Sequence, residues 1–382
     1  MARSTLKTSF PVERTTLRNG LRVVISPDRS SPTVNVAVVY DVGFRSEPEN
    51  RTGFAHLFEH LMFEGSKNLP KGEHWKLIQG NGGVINGSTR HDTTVYFEAV
   101  PSNALEVVLF CEADRMDAVD INEESLRNQI DVVKEEILVN VRNRAYGGFP
   151  WIHLPPVMFE TFANAHDGYG SFEDLEAATI EDAKDFFKRY YAPGNAILAI
   201  AGDVDPAEAI PLIEKHFGRI PKRPVPKLPD FGERVPTSER RATHHDPNAP
   251  RPALALGYRV PHAIKAFDGY VASVVLASLL GGGDASRLFE RVVKQEQAAS
   301  HIFSRVASFG WIGTRDPTTL DVMAYVEQTD DIDRVVALVD EELERVTTDV
   351  TDEELARVTN DLSSEFFQES DSLIGRTLTM AV

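Results

Sequence analysis

A proline-rich segment near the middle of the chain limits how the sequence can fold. Residues 221–236, PKRPVPKLPDFGERVP, contain five prolines. Proline has no backbone N–H and clashes with the preceding helical turn, so this segment can form neither a central strand nor an unbroken helix. The chain has 382 residues, enough for two domains of ordinary size. We therefore predict one domain at residues 1–220, a linker at 221–237 and a second domain at 238–382.

The order of predicted strands and helices before the linker is repeated after it. TVNVAVVYDVG has the character of a strand, and residues 53–64 follow the helical period. After the linker, RPALALGYRV and AFDGYVASVVLASLLGG repeat the order of strand and helix. The sequence therefore predicts an α+β protein with two homologous domains, each a mostly antiparallel sheet packed against helices.

Charge and cysteine content exclude several classes of protein. Lys and Arg number 40 against 58 Asp and Glu, a formal charge of -18, which repels nucleic acid and anionic lipid but suits a basic peptide. No stretch approaches the roughly 18 apolar residues of a membrane span. We expect neither a nucleic-acid nor a membrane partner. Because Cys111 is the single cysteine, any metal must be bound by His, Asp or Glu.

The stretch GFAHLFEHLMFEGS, residues 53–66, predicts a metal site on a helix. His56 and His60 are four residues apart, so both imidazoles can reach one ion. Glu59 shares their face and can take a proton from a water bound to the ion. The alternative is that one histidine is buried in the core, although a chance HxxEH occurs in only about a few per cent of chains this long. The helix at 267–280 has neither His nor Glu, so the second domain is expected to be catalytically silent.

These motifs resemble those of the pitrilysin and insulinase peptidases, which include the mitochondrial processing peptidase. HLFEHLMFEGSKN is similar to their inverted zinc motif, NQIDVVKEEI to their distal ligand helix and LLGGGDASRLFERV to their second-domain signature. The resemblance covers nearly the whole chain. It implies a zinc metalloendopeptidase subunit with one Zn²⁺ per chain and Glu59 as the catalytic base. The alternative is a non-catalytic scaffold of the same fold, like the core subunits of the respiratory cytochrome complex.

The resemblance implies that Glu136, 76 residues beyond His60, is the third metal ligand. Glu135 is its competitor. Val132, Val133 and Glu136 are predicted to form one inward stripe, whereas Glu135 lies about 100° away around the helix. Gln129 occupies the position where the family often has a second acid, and its amide is expected to hydrogen-bond a ligand or a water.

The segment NGGVINGSTRHDTTVYFEAVP is similar to the family's strand after the zinc motif. Its glycine turn and alternating residues predict an edge strand, which can bind an extended peptide through main-chain hydrogen bonds. The resemblance implies that Asn86 lies beside the substrate backbone, with Gly87, Ser88 and Thr89 as further candidates. A turn asparagine is the alternative for Asn86. The other histidines considered lack ligand spacing and are expected on the surface or in the core: His91, His153, His244 and His245.

The family's second domain usually carries an arginine and, seven residues later, a tyrosine that face the zinc across the cleft. Val293 and Ser300 occupy those positions here. Arg291 and His301 could replace the pair only with a shift of register. The resemblance therefore implies a heterodimer with a homologous chain that retains the arginine and tyrosine, and a homodimer is the alternative.

The two ends of the sequence lead to two further expectations. MARSTLKTSF lacks the apolar core of a signal peptide, which predicts a cytoplasmic location. SLIGRTLTMAV reaches Val382 inside a predicted helix, short of where family members usually finish. The second domain is therefore expected to be truncated.

Overall fold

The structure is a computed structural model that describes residues 10–381. The expectation about a signal peptide concerns mainly residues 1–9, which lie outside this part, as does Val382. The strands are β1 (Glu13–Thr16), β2 (Arg22–Pro27), β3 (Thr33–Tyr40), β4 (Val84–Thr89), β5 (Thr94–Pro101), β6 (Ala196–Gly202), β7 (Ala253–Arg259), β8 (His301–Val306) and β9 (Thr319–Tyr325).

The helices alternate with these strands along the chain. They are α1 (Phe54–Leu61), α2 (Glu73–Gly80), α3 (Leu105–Asp117), α4 (Glu123–Ile137), α5 (Pro155–Met158), α6 (Phe162–Ala165), α7 (Phe172–Glu176), α8 (Ile180–Tyr190), α9 (Pro206–Phe217), α10 (Phe267–Gly281), α11 (Asp331–Arg345), α12 (Asp352–Asp371) and α13 (Leu373–Met380). No helix within residues 10–381 is both long and apolar enough to cross a bilayer.

The first half contains a six-stranded sheet in the order β1-β2-β6-β3-β5-β4. β2 and β6 run parallel, and the other neighbouring strands in this sheet are antiparallel. β3 lies near the centre, and every residue after Thr33 is buried. Its valine-rich sequence suits such a strand because β-branched side chains pack well on a pleated surface. β4 lies at the edge of the sheet, as the sequence predicts.

The second half repeats part of the first. Its sheet has the order β7-β9-β8 with antiparallel pairing, which matches the order β3-β5-β4. α10 follows β7 as α1 follows β3. Each half has its own large apolar core, one within residues 17–220 and the other within residues 254–362. The predicted α+β fold with two homologous, mostly antiparallel domains is confirmed.

The segment between the halves has no regular structure. Neither helix nor strand occurs between Phe217 and Ala253. This is expected for a proline-rich segment, because proline lacks the backbone N–H that regular hydrogen bonding needs. The two halves also contact each other directly through Arg45, which lies in the first half. Its buried guanidinium donates hydrogen bonds to Asp92 and to the carbonyl oxygen of Arg315, at 3.1 Å for the latter. The exact limits 1–220, 221–237 and 238–382 stay a prediction.

The last helix, α13, belongs to the second half by sequence but packs on the sheet of the first. Leu378 and Ala381 contact an apolar cluster that includes Ala37 and Ala199. The Arg376 guanidinium donates to Asp28 Oδ2 at 2.8 Å. The C-terminal helix thus ties the end of the described chain to the face of the first sheet.

Candidate metal centre

A buried carboxylate organises the start of α1, the helix that carries His56. Glu47 Oε2 accepts a hydrogen bond from the Gly53 N–H at 2.9 Å, and its Oε1 accepts one from the Ala55 N–H at 2.6 Å. These are among the N–H groups that a helix leaves without internal partners. Burial raises the pKa of Glu47 to about 7, although His166 and the two N–H groups oppose the rise. The ionised carboxylate also interacts favourably with the helix dipole. Glu47 therefore acts as the N-terminal cap of the motif helix.

Replacing Glu47 with alanine should destabilise the protein by roughly 2–4 kcal/mol because two buried N–H groups lose their acceptor. The measurement is urea-induced unfolding followed by circular dichroism. Glu49→Ala is the matched control, since Glu49 is exposed nearby and should change stability by less than about 0.5 kcal/mol. Equal unfolding free energies for the two variants would contradict the capping role.

α4 brings Glu136 to α1. Asn122 and Ser125 cap α4 through reciprocal hydrogen bonds. Along the helix Gln129 and Val133 are buried and Glu136 is half-buried, a spacing of four and then three residues that defines one face.

One expectation about α4, the inward position of Val132, is wrong. Val132 is 42% exposed. Successive residues of an α-helix are rotated by about 100°, so Val132 points away from the face that Val133 buries. α4 ends at Ile137, and residues 138–142 form a π-helical turn. Glu135 is exposed, as predicted for the competitor of Glu136.

Three potential ligand atoms converge between α1 and α4. His56 Nε2 lies 3.3 Å from His60 Nε2, and Glu136 Oε2 lies 3.8 Å and 3.4 Å from these two atoms. A tetrahedral Zn²⁺ with bonds of 2.0–2.1 Å separates its ligand atoms by roughly 3.3–3.4 Å. Two imidazoles and one carboxylate also form a donor set that zinc commonly uses. The residues therefore fit a zinc ion with one coordination position left open.

The charges of this trio suit a cation. The hydrogen bond from His60 and the nearby His56 hold the pKa of Glu136 at about 2, although burial opposes this. Burial and the charge of His60 lower the pKa of His56 to about 4. For His60, burial lowers the pKa, but the Glu136 hydrogen bond and the charges of Glu59 and Glu136 together raise it. Glu136 is thus an anion at neutral pH.

Glu59 lies beside these ligands and is held by the edge strand β4. The Thr89 hydroxyl donates to Glu59 Oε2 at 2.7 Å. A Cβ atom at Gly87 would lie 2.9 Å from Glu59 Oε1, so glycine lets the strand approach the carboxylate closely. Burial raises the pKa of Glu59 to about 7, while the Thr89 hydrogen bond opposes the rise. Such a pKa suits a group that takes and returns protons near neutral pH.

The ligands and Glu59 line a cleft of about 520 Å³. Phe63 and Trp75 form part of its wall, with ring centroids 5.3 Å apart. Gln129 also lines the cleft, and its amide donates to Glu64 Oε1 at 2.7 Å. Lys71 pairs with the other Glu64 oxygen at 2.6 Å. Gln129 therefore lies next to the ligands and binds an acid that the sequence did not single out.

The predicted substrate residues lie on β4. Asn86 is exposed and lines the cleft together with Gly87. The Asn86 side-chain oxygen accepts the Gly87 N–H at 2.9 Å. Ser88 continues the strand, and the hydroxyl of Thr89 is already bonded to Glu59. The roles of these four residues in substrate binding stay predictions.

Tyr169 and Asn140 contact Glu136, and sequence reasoning missed both. The Tyr169 hydroxyl donates to Glu136 Oε1 at 3.0 Å, and Asn140 Nδ2 lies 3.5 Å from the same oxygen. Burial, assisted by the charge of Glu136, raises the pKa of Tyr169 to about 12, so the phenol keeps its proton. Tyr169 lies in a loop, 33 residues from Glu136 along the chain. A loop has no regular spacing of residues from which this contact could be predicted.

The positions that would complete the site from the second half hold no suitable donor. Val293 packs against the second core, and the Ser300 hydroxyl donates to the Tyr325 carbonyl oxygen at 3.1 Å. Arg291 forms ion pairs with Glu296 at 2.9 Å and with Glu341.

His301 and the other histidines have their own surroundings. His301 is exposed and lies against the ring of Phe289. His91 packs on Phe309, and His153 stacks on His244 with centroids 3.9 Å apart. These contacts fit the prediction that His91, His153 and His244 are not ligands of the His56 site.

A second group of potential ligands is buried beneath the first sheet. His74, Glu98 and Glu112 offer atoms within 4.8 Å of one another. However, the Arg115 guanidinium pairs with both glutamates and already neutralises much of their charge. A cation in the same place would be repelled by this guanidinium, so the group is a buried ion-pair network.

Comparison with known proteins identifies relatives over most of the chain. Residues 22–145 match the family model described as insulinase (peptidase family M16), and residues 177–362 match the one described as peptidase M16 inactive domain. A zinc protease from Helicobacter pylori is 33% identical over 307 residues, which cover 76% of this chain and 66% of that protein.

Two further relatives extend over more of the chain. A protein described as an uncharacterized zinc protease from Mycobacterium bovis is 28% identical, with coverage of 87% of this chain and 74% of the relative. The solved structure of a Helicobacter pylori protease superimposes with a TM-score of 0.86 at 28% identity, covering 96% of this chain and 87% of that one. On these grounds, and on the fold and motif described above, the chain belongs to the M16 family of pitrilysin and insulinase-type peptidases.

Proposed function

We propose that the chain is the zinc-bearing subunit of an inverted HxxEH metalloendopeptidase that hydrolyses peptides or unfolded segments. The observation that carries this proposal is the convergence of His56 Nε2, His60 Nε2 and Glu136 Oε2 at separations that suit zinc. Glu59 lies beside them in the same cleft. Relatives described as zinc proteases support the same function.

Different residues of this chain would bind the metal, transfer the proton and orient the base during hydrolysis. A Zn²⁺ ion bound by His56, His60 and Glu136 would lower the pKa of a bound water and polarise the scissile carbonyl. Glu59 accepts the proton released in the attack and returns it to the leaving amine. The Thr89 hydroxyl holds Glu59 Oε2 at 2.7 Å, which keeps this carboxylate oriented toward the cleft.

The free edge of β4 is the proposed place for an extended substrate. β4 pairs with β5 on one side, and no other described strand covers its second side. Those main-chain groups of Asn86, Gly87 and Ser88 that point away from β5 can then pair with a peptide by β-addition. Thr89 is less available than the other three, because both its hydroxyl and its backbone N–H interact with Glu59. The acidic character of the chain favours basic peptides.

The missing arginine and tyrosine lead us to propose a heterodimer. The partner is a homologous chain that has lost the zinc motif and kept the two cross-cleft residues, while a homodimer remains the alternative. The cytoplasm stays the predicted location, which cell fractionation with an antibody to the chain would test.

Metal analysis tests the proposed function against the scaffold alternative. Purified wild-type protein incubated with Zn²⁺ and desalted should hold one equivalent, whereas Glu136→Gln should lose its zinc under a mild chelator because a charged ligand is gone. Glu135→Gln is the matched control, since it changes the same charge at an exposed neighbour. Less than about a tenth of an equivalent in the wild type would favour a scaffold.

The same measurement also tests the choice of ligand. Zinc that stays stoichiometric in Glu136→Gln but is lost from Glu135→Gln would mean that the wrong glutamate had been chosen.

A further inference from the structure

Tyr169 divides the two oxygens of the Glu136 carboxylate between different tasks. Its hydroxyl donates to Oε1 at 3.0 Å. The other oxygen, Oε2, faces His56 Nε2 at 3.8 Å and His60 Nε2 at 3.4 Å. The Asn140 amide approaches the same Oε1 at 3.5 Å from the π-helical turn that follows α4. Oε1 is therefore hydrogen-bonded to protein groups, whereas Oε2 faces the two histidines and is available to bind a metal ion.

The loop that carries Tyr169 is fixed to the beginning of α1. The N–H groups of Tyr169 and Gly170 donate to Asp167 Oδ1 at 2.8 and 3.0 Å. The Ser171 N–H donates to the Thr52 hydroxyl at 3.1 Å, next to the first residues of α1. A Cβ atom at Gly53 would lie only 2.2 Å from the Tyr169 carbonyl oxygen. The backbone of the loop and the start of α1 are thus in close contact.

The ring of Tyr169 continues this contact toward the ligands. Its centroid lies 5.1 Å from that of His56, with the rings nearly perpendicular, and 5.4 Å from that of Trp151. The side chain therefore reaches from a loop anchored on the helix of His56 to the carboxylate on the helix of Glu136. Tyr169 therefore contacts both ligand-bearing helices, which also pack directly on each other.

We propose that Tyr169 is a positioning residue that holds Glu136 for metal binding through Oε2 alone. This inference rests on the proposed zinc site and deepens it. A carboxylate without a partner on its second oxygen can bind a metal through both oxygens, which would occupy the position that a catalytic site keeps open. Partners of ligand groups outside the coordination sphere commonly tune affinity in this way.

Tyr169→Phe removes the hydroxyl and keeps the ring. Zinc affinity, measured by competition with a chromophoric chelator, should fall about 10–100-fold. The visible spectrum of the Co²⁺-loaded variant should also change, because a rotated or two-oxygen carboxylate alters the coordination number. Tyr270→Phe is the matched control: its hydroxyl donates to the Trp311 carbonyl oxygen at 2.6 Å in the second half of the chain, so its loss should leave zinc affinity and the Co²⁺ spectrum unchanged.

A double-mutant cycle with Glu136→Ala separates positioning from a general loss of folding. If Tyr169 acts through Glu136, removing the hydroxyl should not weaken the residual zinc affinity of Glu136→Ala any further. An equal fold-loss in both backgrounds would overturn the proposal, because Tyr169 would then act on the fold. Wild-type affinity and an unchanged Co²⁺ spectrum in Tyr169→Phe would overturn it as well.

The outcomes also separate this inference from the proposed function. A wild-type chain that bound neither Zn²⁺ nor Co²⁺ would remove the metal site and, with it, the role given to Tyr169. If the wild type binds zinc and Tyr169→Phe has the same zinc affinity and Co²⁺ spectrum, only the role of Tyr169 is overturned.

Discussion

Replacing Glu59 with glutamine is expected to lower kcat for peptide hydrolysis by about a hundred- to ten-thousand-fold, the usual contribution of a general base. Zinc should stay bound at one equivalent, because the three ligand atoms come from His56, His60 and Glu136. The amide can still accept the hydrogen bond from Thr89, so the cleft should keep its shape. The fall in kcat would therefore reflect the loss of proton transfer, because metal binding would be unchanged.

This test needs the active assembly, a library of unfolded peptides and metal analysis of the same samples. Glu73→Gln is the control, because it makes the same change of charge on α2, close to the cleft, where Glu73 pairs with Lys76 at 3.2 Å. It should change kcat by less than about a factor of two. If Glu59→Gln kept even about a tenth of the wild-type kcat, Glu59 could not be the base.

A homologous partner chain should raise the rate of hydrolysis about a hundred- to a thousand-fold over that of this chain alone. One donor to a developing oxyanion is worth roughly 3–4 kcal/mol, and neither Val293 nor Ser300 offers an arginine or a phenol. Arg291 is already paired with Glu296 and Glu341. A homodimer would therefore present a zinc site without a donor from across the cleft.

Copurification from the native source would identify such a partner, and kcat/KM for the peptide library would be compared with and without it. A partner whose arginine and tyrosine are replaced by alanine and phenylalanine should still associate but lose the enhancement. Arg291→Ala in this chain is the control and should leave the enhanced rate unchanged. Equal rates with and without every homologous partner would refute the heterodimer and return attention to Arg291 and His301.

The sequence by itself determined those features that depend on neighbours within one element. His56, Glu59 and His60 lie within little more than one helical turn, so their common face follows from the helical period wherever the helix packs. Thr351 and Glu354 likewise cap α12 through reciprocal hydrogen bonds. Local geometry was sufficient in both cases, because the residues concerned are separated by three or four positions.

Only the tertiary structure decided which residues from distant segments meet. The approach of Glu136 Oε2 to the nitrogens of His56 and His60 depends on the rotation of α4 about its axis. The exposure of Val132 shows that a stripe inferred from the sequence can be wrong by one residue. No signal in the sequence indicated two such contacts: Tyr169 binds Glu136, and the predicted C-terminal helix, α13, packs on the first sheet. Such contacts depend on how whole elements pack, and local spacing carries no information about that.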